Sequence, residues 1–226
     1  MMPLRIQHIV GGDLIMTKPP VVLGLSPADL SCEPPPKVDW RFWSIPFDGR
    51  YDDQGNRGFC WAYASTQMAE GLRYIAERKK GQLDPQPVIK RGKEISGRAG
   101  DGETLEVAIQ AAKEIYGSFG QETWVGNLDE LRTLVAWNGP VLCGAMITDH
   151  WQTVDPATGR QGNAGNGAEL GGHAFLCVGY DMQYAEVYCW TSWKYGWVNE
   201  GRETGFFRIP MDRFKKEFFG GVGFRR

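Results

Sequence analysis

Residues 54–65 read QGNRGFCWAYAS, a polar turn punctuated by glycine that runs into an aromatic and small-residue segment with Cys60 at the junction. Downstream, Trp61, Ala64, Met68, Leu72, Ile75 and Ala76 recur at the spacing of one helix face, while Glu70, Arg73, Glu77 and Arg78 fall on the wetter side. The pattern predicts a helix over residues 60–80, with Lys79, Lys80 and Gly81 as its stop. Cys60 then occupies the first turn, where unpaired backbone N–H groups and the helix dipole stabilise a thiolate. Taken by itself, the stretch fits both a reactive thiol and a buried small hydrophobe.

Two further helical patterns follow. One covers residues 104–116, with Leu105, Ala108, Ile109, Ala112 and Ile115 on one face and Gly117 at its end; a shorter one covers LDELRTLVAWN at 128–138. After Gly139 and Pro140 the character changes. GPVLCGAMIT (139–148), HAFLCVGY (173–180), AEVYCWTSW (185–193) and GFFRIP (205–210) have the Val, Phe, Tyr and Ile content of strands. A Gly- and Asn-rich connection, residues 155–172, separates the first two. Helices followed by strands indicate an α+β architecture, a helical half packed on an antiparallel sheet half with a cleft between them. Residues 1–36, ending in Pro34, Pro35 and Pro36, read as an irregular arm.

Composition narrows the function classes. The 226 residues are 42% hydrophobic, enough for a substantial core, and 25 Lys and Arg against 27 Asp and Glu give a net charge of -2. That balance argues against a nucleic-acid surface. No apolar run reaches the roughly 18 residues of a membrane span, and Gly11, Gly12 and Asp13 interrupt the N-terminal apolar patches before a signal-like region forms. The five cysteines, Cys32, Cys60, Cys143, Cys177 and Cys189, contain no CxxC, and Cys143 and Cys177 sit in apolar strand-like runs where an inert thiol is expected. The glycines of the 155–172 connection lack phosphate-loop spacing, and Asp149 beside His150 reads as turn chemistry rather than a metal centre. No cofactor is called for.

His173, in ELGGHAFLCVGYD, stands directly before an apolar strand. Locally it fits a structural hydrogen bond; if the fold brings it to Cys60, it fits a base that takes the thiol proton and returns it to a leaving group. At this point the chain resembles the papain-like cysteine peptidases. The similarity begins at VDWR, passes through QGNRGFCWA and GGHAFLCVGYD, and ends at TSWKYGWVNEGRETGFFRI, spanning residues 38–209 with weaker agreement in the middle. It implies a two-lobed α+β papain-like fold: an arm at 1–36, then a peptidase domain at 37–226. Within that domain, an N-terminal helical lobe at about 37–135 faces a C-terminal antiparallel β-sheet, barrel-like lobe at about 136–226. The arm would be too short for the usual inhibitory proregion.

The resemblance also implies roles. Cys60 takes the nucleophile position and His173 the acid/base position, and Gln54 matches the glutamine that helps form the oxyanion hole. Trp193 and Trp197 match paired tryptophans, the first shielding the histidine's hydrogen bond, with core packing as the compatible alternative. Gly100 matches the glycine that binds substrate backbone. Asp101 beside it reads either as a carboxylate favouring a basic substrate residue or as an exposed turn residue. Gly171 and Gly172 either leave room for substrate or shape the turn before His173.

Several positions depart from the family pattern. Thr191 replaces the asparagine that orients the imidazole; its hydroxyl can accept the same bond but is shorter. Arg57 and Arg98 stand where the family carries a disulfide beside the nucleophile, which suits folding in a reducing setting. Phe59 replaces a small residue and is expected to narrow the approach to Cys60.

The expected function is thiol-dependent peptide-bond hydrolysis on peptide or protein substrates, with reduced activity because of Thr191. One alternative is a papain-like protein with little or no catalysis, serving a structural or binding role with an assembly partner in a microbial or viral setting, cytoplasmic or virion-associated. Another is cell-wall amide hydrolysis.

Overall fold

The computed structural model describes residues 4–5, 33–41, 53–155, 157–162, 167–193, 198–199, 202–203 and 205–225. Most of the 1–36 arm therefore lies outside the described residues, apart from residues 33–36 and the two-residue strand β1 (Leu4–Arg5), which pairs with β5 (Thr153–Val154).

Helix α1 (Cys60–Glu77) follows the predicted apolar face, burying Trp61, Ala64, Met68 and Leu72. It stops before the lysines: Arg78 takes a left-handed conformation with φ 57 and its N–H returns to the Tyr74 carbonyl. Helix α2 (Gln86–Ser96) was not evident in the sequence, because it buries only Val88, Ile89 and Gly92. Helix α3 (Leu105–Tyr116) begins where expected, with the Thr104 hydroxyl accepting the Val107 N–H. These three helices pack together on one face of a sheet.

That sheet has seven strands, in the order β10 (Phe206–Pro210), β7 (Glu186–Trp190), β6 (Glu169–Asp181), β4 (Val141–Thr148), β11 (Phe218–Arg225) and β3 (Gln121–Val125). The short β2 (Lys37–Asp39) pairs with the end of β6 beyond the reach of β4. All pairings in this sheet are antiparallel. The expected barrel-like closure does not occur: β10 and β3 remain separate edges, so the lobe is an open sheet. Both β2 and β3 precede the lobe division read at about residue 136 and already belong to this sheet.

Two cores follow from strand alternation along β6. Ala174, Leu176 and Val178 join the cluster under α1 and α3, while Phe175 and Cys177 join a second cluster on the opposite face. Leu128, Leu131, Leu134 and Val135 of helix α4 (Leu128–Asn138) close the second face, with Met211 and Phe214 of α5 (Met211–Glu217). With both faces covered, β6 reads as an almost continuous apolar run. A two-residue pair, β8 (Val198–Asn199) and β9 (Arg202–Glu203), completes the described strands. Among the described residues, no helix is long and apolar enough to cross a membrane.

Trp61 fixes the start of α1. Its ring is fully buried and fits against α2 at Gly92, where an added Cβ would lie 2.6 Å from Cζ3 and closer still to Cη2. Replacing Gly92 with Ala is expected to lower unfolding free energy by about 1–2 kcal/mol: overpacking costs about 1–3 kcal/mol and helix propensity returns up to about 1 kcal/mol. Urea unfolding measures it, and a gain in stability would show that the ring can give way.

Candidate active site

The helix that begins at Cys60 has no side-chain N-cap on Phe59 and no acidic residue in its first turn, so no carboxylate of the helix itself offsets the positive dipole end at Cys60. The Ala62 and Tyr63 N–H groups donate to the Phe59 carbonyl at 2.9 and 3.1 Å. Strand β6 supplies the other side. The Ala174 N–H donates to Cys60 Sγ at 3.4 Å, which brings the thiol to the residue directly after His173. Cys60 is 0% exposed and His173 2% exposed.

The neighbouring strand β7 delivers Thr191 one residue past its end, anchored by its own N–H to the Gly205 carbonyl at 3.0 Å. His173 Nε2 and Thr191 Oγ1 are 2.9 Å apart in a buried hydrogen bond. This contact commits one ring nitrogen, Nε2. Trp193 stacks on the imidazole with centroids 3.9 Å apart and planes at 21°. Trp151 meets both rings edge-on, 6.3 Å from His173 and 6.2 Å from Trp193. Its indole N–H donates to Glu217 at 2.7 Å, and the other oxygen of that carboxylate accepts from the Thr148 hydroxyl at 2.8 Å. Burial holds the Glu217 carboxyl above its usual range.

Gln54 is fixed at three points. Its N–H donates to the Ser192 carbonyl at 3.0 Å, its Oε1 accepts the Ser192 hydroxyl at 2.5 Å, and its Nε2 donates to the Arg57 carbonyl at 2.6 Å. A carbonyl can only accept, so the Arg57 contact decides which end of the amide is nitrogen. One amide hydrogen of Nε2 is left over.

At the position read as a lost cysteine, Arg57 forms a bidentate ion pair with Asp101, Nε to Oδ2 at 2.7 Å and Nη2 to Oδ1 at 2.9 Å. The Asp101 carboxylate, read either as favouring a basic substrate residue or as an exposed turn residue, makes this pair while remaining partly open to solvent. Arg98 lies on the same loop, with its N–H on Ser96 Oγ at 3.2 Å. Phe59 packs partly buried against the helical core, with the Arg57 guanidinium 4.9 Å above its ring. Gly100, whose carbonyl accepts Lys93 Nζ, has open space where a Cβ would stand. Gly172 pairs with Met146 in the sheet, directly before His173. Trp197 lies outside the described residues.

The structure therefore gathers Cys60, His173, Thr191 and Trp193 around one thiol and imidazole, with Gln54 joined to the same loop through Ser192. Sequence reasoning did not reach Ser192 as the holder of Gln54, nor Trp151 and Glu217 beneath the imidazole. Trp151 lies in a segment with no helical or strand period, and Glu217 in a short charged helix, so neither carried a signal.

Burial pushes the His173 imidazole down to about 3, below its unfolded value of about 6.5. The unfolded chain binds the proton first, so stability is undiminished above about pH 6.5 and falls as pH drops toward 3. By about pH 4.5 the loss is expected to reach about 3 kcal/mol. Unfolding measured across this range in wild type and His173→Gln checks it; equal acid losses in the two proteins would remove His173 as the cause.

No protein-family model matches the chain. It is 32% identical over 115 residues, 46% of this chain and 30% of the relative, to "Probable cysteine protease RDL3" of Arabidopsis thaliana. It is 23% identical over 206 residues, 79% of this chain and 58% of the relative, to the pro-cathepsin H of Medicago truncatula. The chain thus spans less than two thirds of the length of these curated relatives. Superposition on xylellain, a cysteine protease from Xylella fastidiosa, gives a TM-score of 0.71 at 19% identity and covers 96% of this chain and 97% of that one. With its helical layer, its antiparallel sheet lobe and a cysteine bonded to the strand residue after a histidine, the chain has a divergent papain-like cysteine-protease fold, in which a threonine holds the histidine and, among the described residues, no disulfide flanks the cysteine.

Proposed function

We propose that the protein hydrolyses peptide bonds in peptide or protein substrates through a Cys60 acyl-enzyme. The observation that carries this reading is the junction of Cys60 with β6 beside a histidine whose Nε2 is already held by Thr191. In this mechanism His173 Nδ1 takes the thiol proton as sulfur attacks the carbonyl carbon, and returns it to the departing amine. The Cys60 backbone N–H and the remaining Gln54 amide hydrogen donate to the oxygen on which charge develops. Water, deprotonated by the same imidazole, then cleaves the thioester and releases the acid. The stack of Trp193 on His173 supports a role in keeping water from the Thr191 hydrogen bond.

A second reading has its own support. Cys60 has no exposed surface and the imidazole is held neutral, which favours a weakly active protein whose cleft binds a partner in an assembly. The free thiols of Cys60, Cys143, Cys177 and Cys189 support a reducing compartment for both readings, such as cytoplasm or a virion-associated setting.

A peptidyl vinyl sulfone is expected to label Cys60 stoichiometrically, and Cys60→Ala to abolish peptide turnover; turnover by that variant equal to wild type would end the mechanism. Absence of labelling together with a stable partner complex would favour the binding role. Gln54→Ala is expected to lower kcat about 10²–10³-fold, the usual effect of losing one oxyanion donor. Steady-state kinetics per titrated thiol measures it, and an unchanged kcat would remove Gln54 from the oxyanion site.

A further inference from the structure

We infer that Asp101 is a positioning residue for the turn that carries Gln54 and Cys60, acting with Arg57 as an ionic clamp in place of a covalent one. This rests on the peptide-hydrolase reading above.

Asp101 reaches the turn at three places. Its carboxylate takes the Arg57 guanidinium in a two-point pair, and Oδ2 also faces the Gly58 N–H at 3.5 Å. Its backbone carbonyl accepts the Trp61 indole N–H at 2.8 Å. Residues on both sides of Cys60 are therefore referred to a single residue 40–44 positions away. The Arg57 carbonyl in turn accepts Gln54 Nε2, so a shift of Arg57 moves the side-chain donor as well as the Cys60 N–H. The Phe59 ring, 4.9 Å from the guanidinium, adds a second contact that holds Arg57 on the turn.

Both partners are exposed to solvent, with side-chain accessibilities of 64% for Arg57 and 31% for Asp101. Such a pair adds little to global stability and is screened by salt. Its effect lies in geometry, since small misplacement of a donor weakens catalysis strongly. A disulfide at this place would respond to redox potential, whereas this clamp responds to ionic strength.

The experiment compares wild type, Asp101→Asn, Arg57→Gln and the double variant on a peptide substrate, with active sites counted by the Cys60-directed probe. Each single variant is expected to lose about tenfold in kcat per titrated site with KM within about threefold, and the double variant to be no worse than either. The thermal midpoint is expected to move little. Raising salt from about 0.05 to about 0.5 M is expected to lower wild-type kcat and leave Asp101→Asn flat. A kcat per site that is unchanged in the single variants, or salt responses that match, overturns the clamp. If wild type shows no turnover, the hydrolase reading fails, and the clamp is then judged by hydrogen exchange at the Gly58 amide and the Trp61 indole. Faster exchange in both single variants, by about tenfold, supports it, and exchange equal to wild type overturns it.

Discussion

The contact between the first turn of α1 and the backbone of β6, at Ala174 N–H and Cys60 Sγ, is the point on which the candidate site depends. A helix N-terminus and a strand have different periods, so they share a fixed relation only where one residue of each is pinned. Here Trp61 pins the helix from below and the alternation of β6 pins the strand. Ala174 turns its side chain to the helical core, and the neighbouring His173 ring lies instead against Trp151, Phe175 and Trp193. The imidazole is thus placed by the same two-residue period that builds the two cores. Function at this position is a by-product of having both faces of one strand covered.

The imidazole is also braced from beneath. Trp151 touches His173, Trp193, Phe175 and Phe207, and its indole is tied to a buried carboxylate that holds Thr148 at the same time. A charged or protonated Glu217 can accept both bonds, so the brace persists through a change of protonation. This explains how a single short hydroxyl such as that of Thr191 suffices to complete the orientation of the ring: the aromatic packing has already confined it.

Legibility in the sequence varied with the length scale of the forces. Helix α1 declared itself through local period, strands β4, β6, β7 and β10 through their Val, Phe, Tyr and Ile content, and Cys60, His173 and Thr191 through ordered motifs. Helix α2 did not, because its few apolar positions serve a glancing contact in which Gly92 exists to admit the Trp61 ring. Strands β3 and β11 were hidden for a related reason. Gly221 and Gly223 lie where a Cβ would press on the Leu142 carbonyl and the Leu134 side chain, so the close packing that makes β11 a strand also removes the residues that would announce it. The Arg57–Asp101 pair and the Trp151–Glu217 bond link distant positions by charge and by hydrogen bonding, which leave no periodic trace.

Thr191 has one further consequence. An amide carbonyl only accepts, so opposite a neutral imidazole it permits a single placement of the ring proton, on Nε2. A hydroxyl both donates and accepts, so the 2.9 Å bond between His173 and Thr191 can be satisfied with the proton on either nitrogen. Either tautomer of the ring then fits the same bond, and in the proposed mechanism only the one with a bare Nδ1 receives the thiol proton. With the two equally stable, half the molecules at any instant are competent, a factor of about two in apparent rate. Under the proposed mechanism, threonine at this position leaves the base in place but makes its readiness a matter of population, set by whatever turns its hydroxyl.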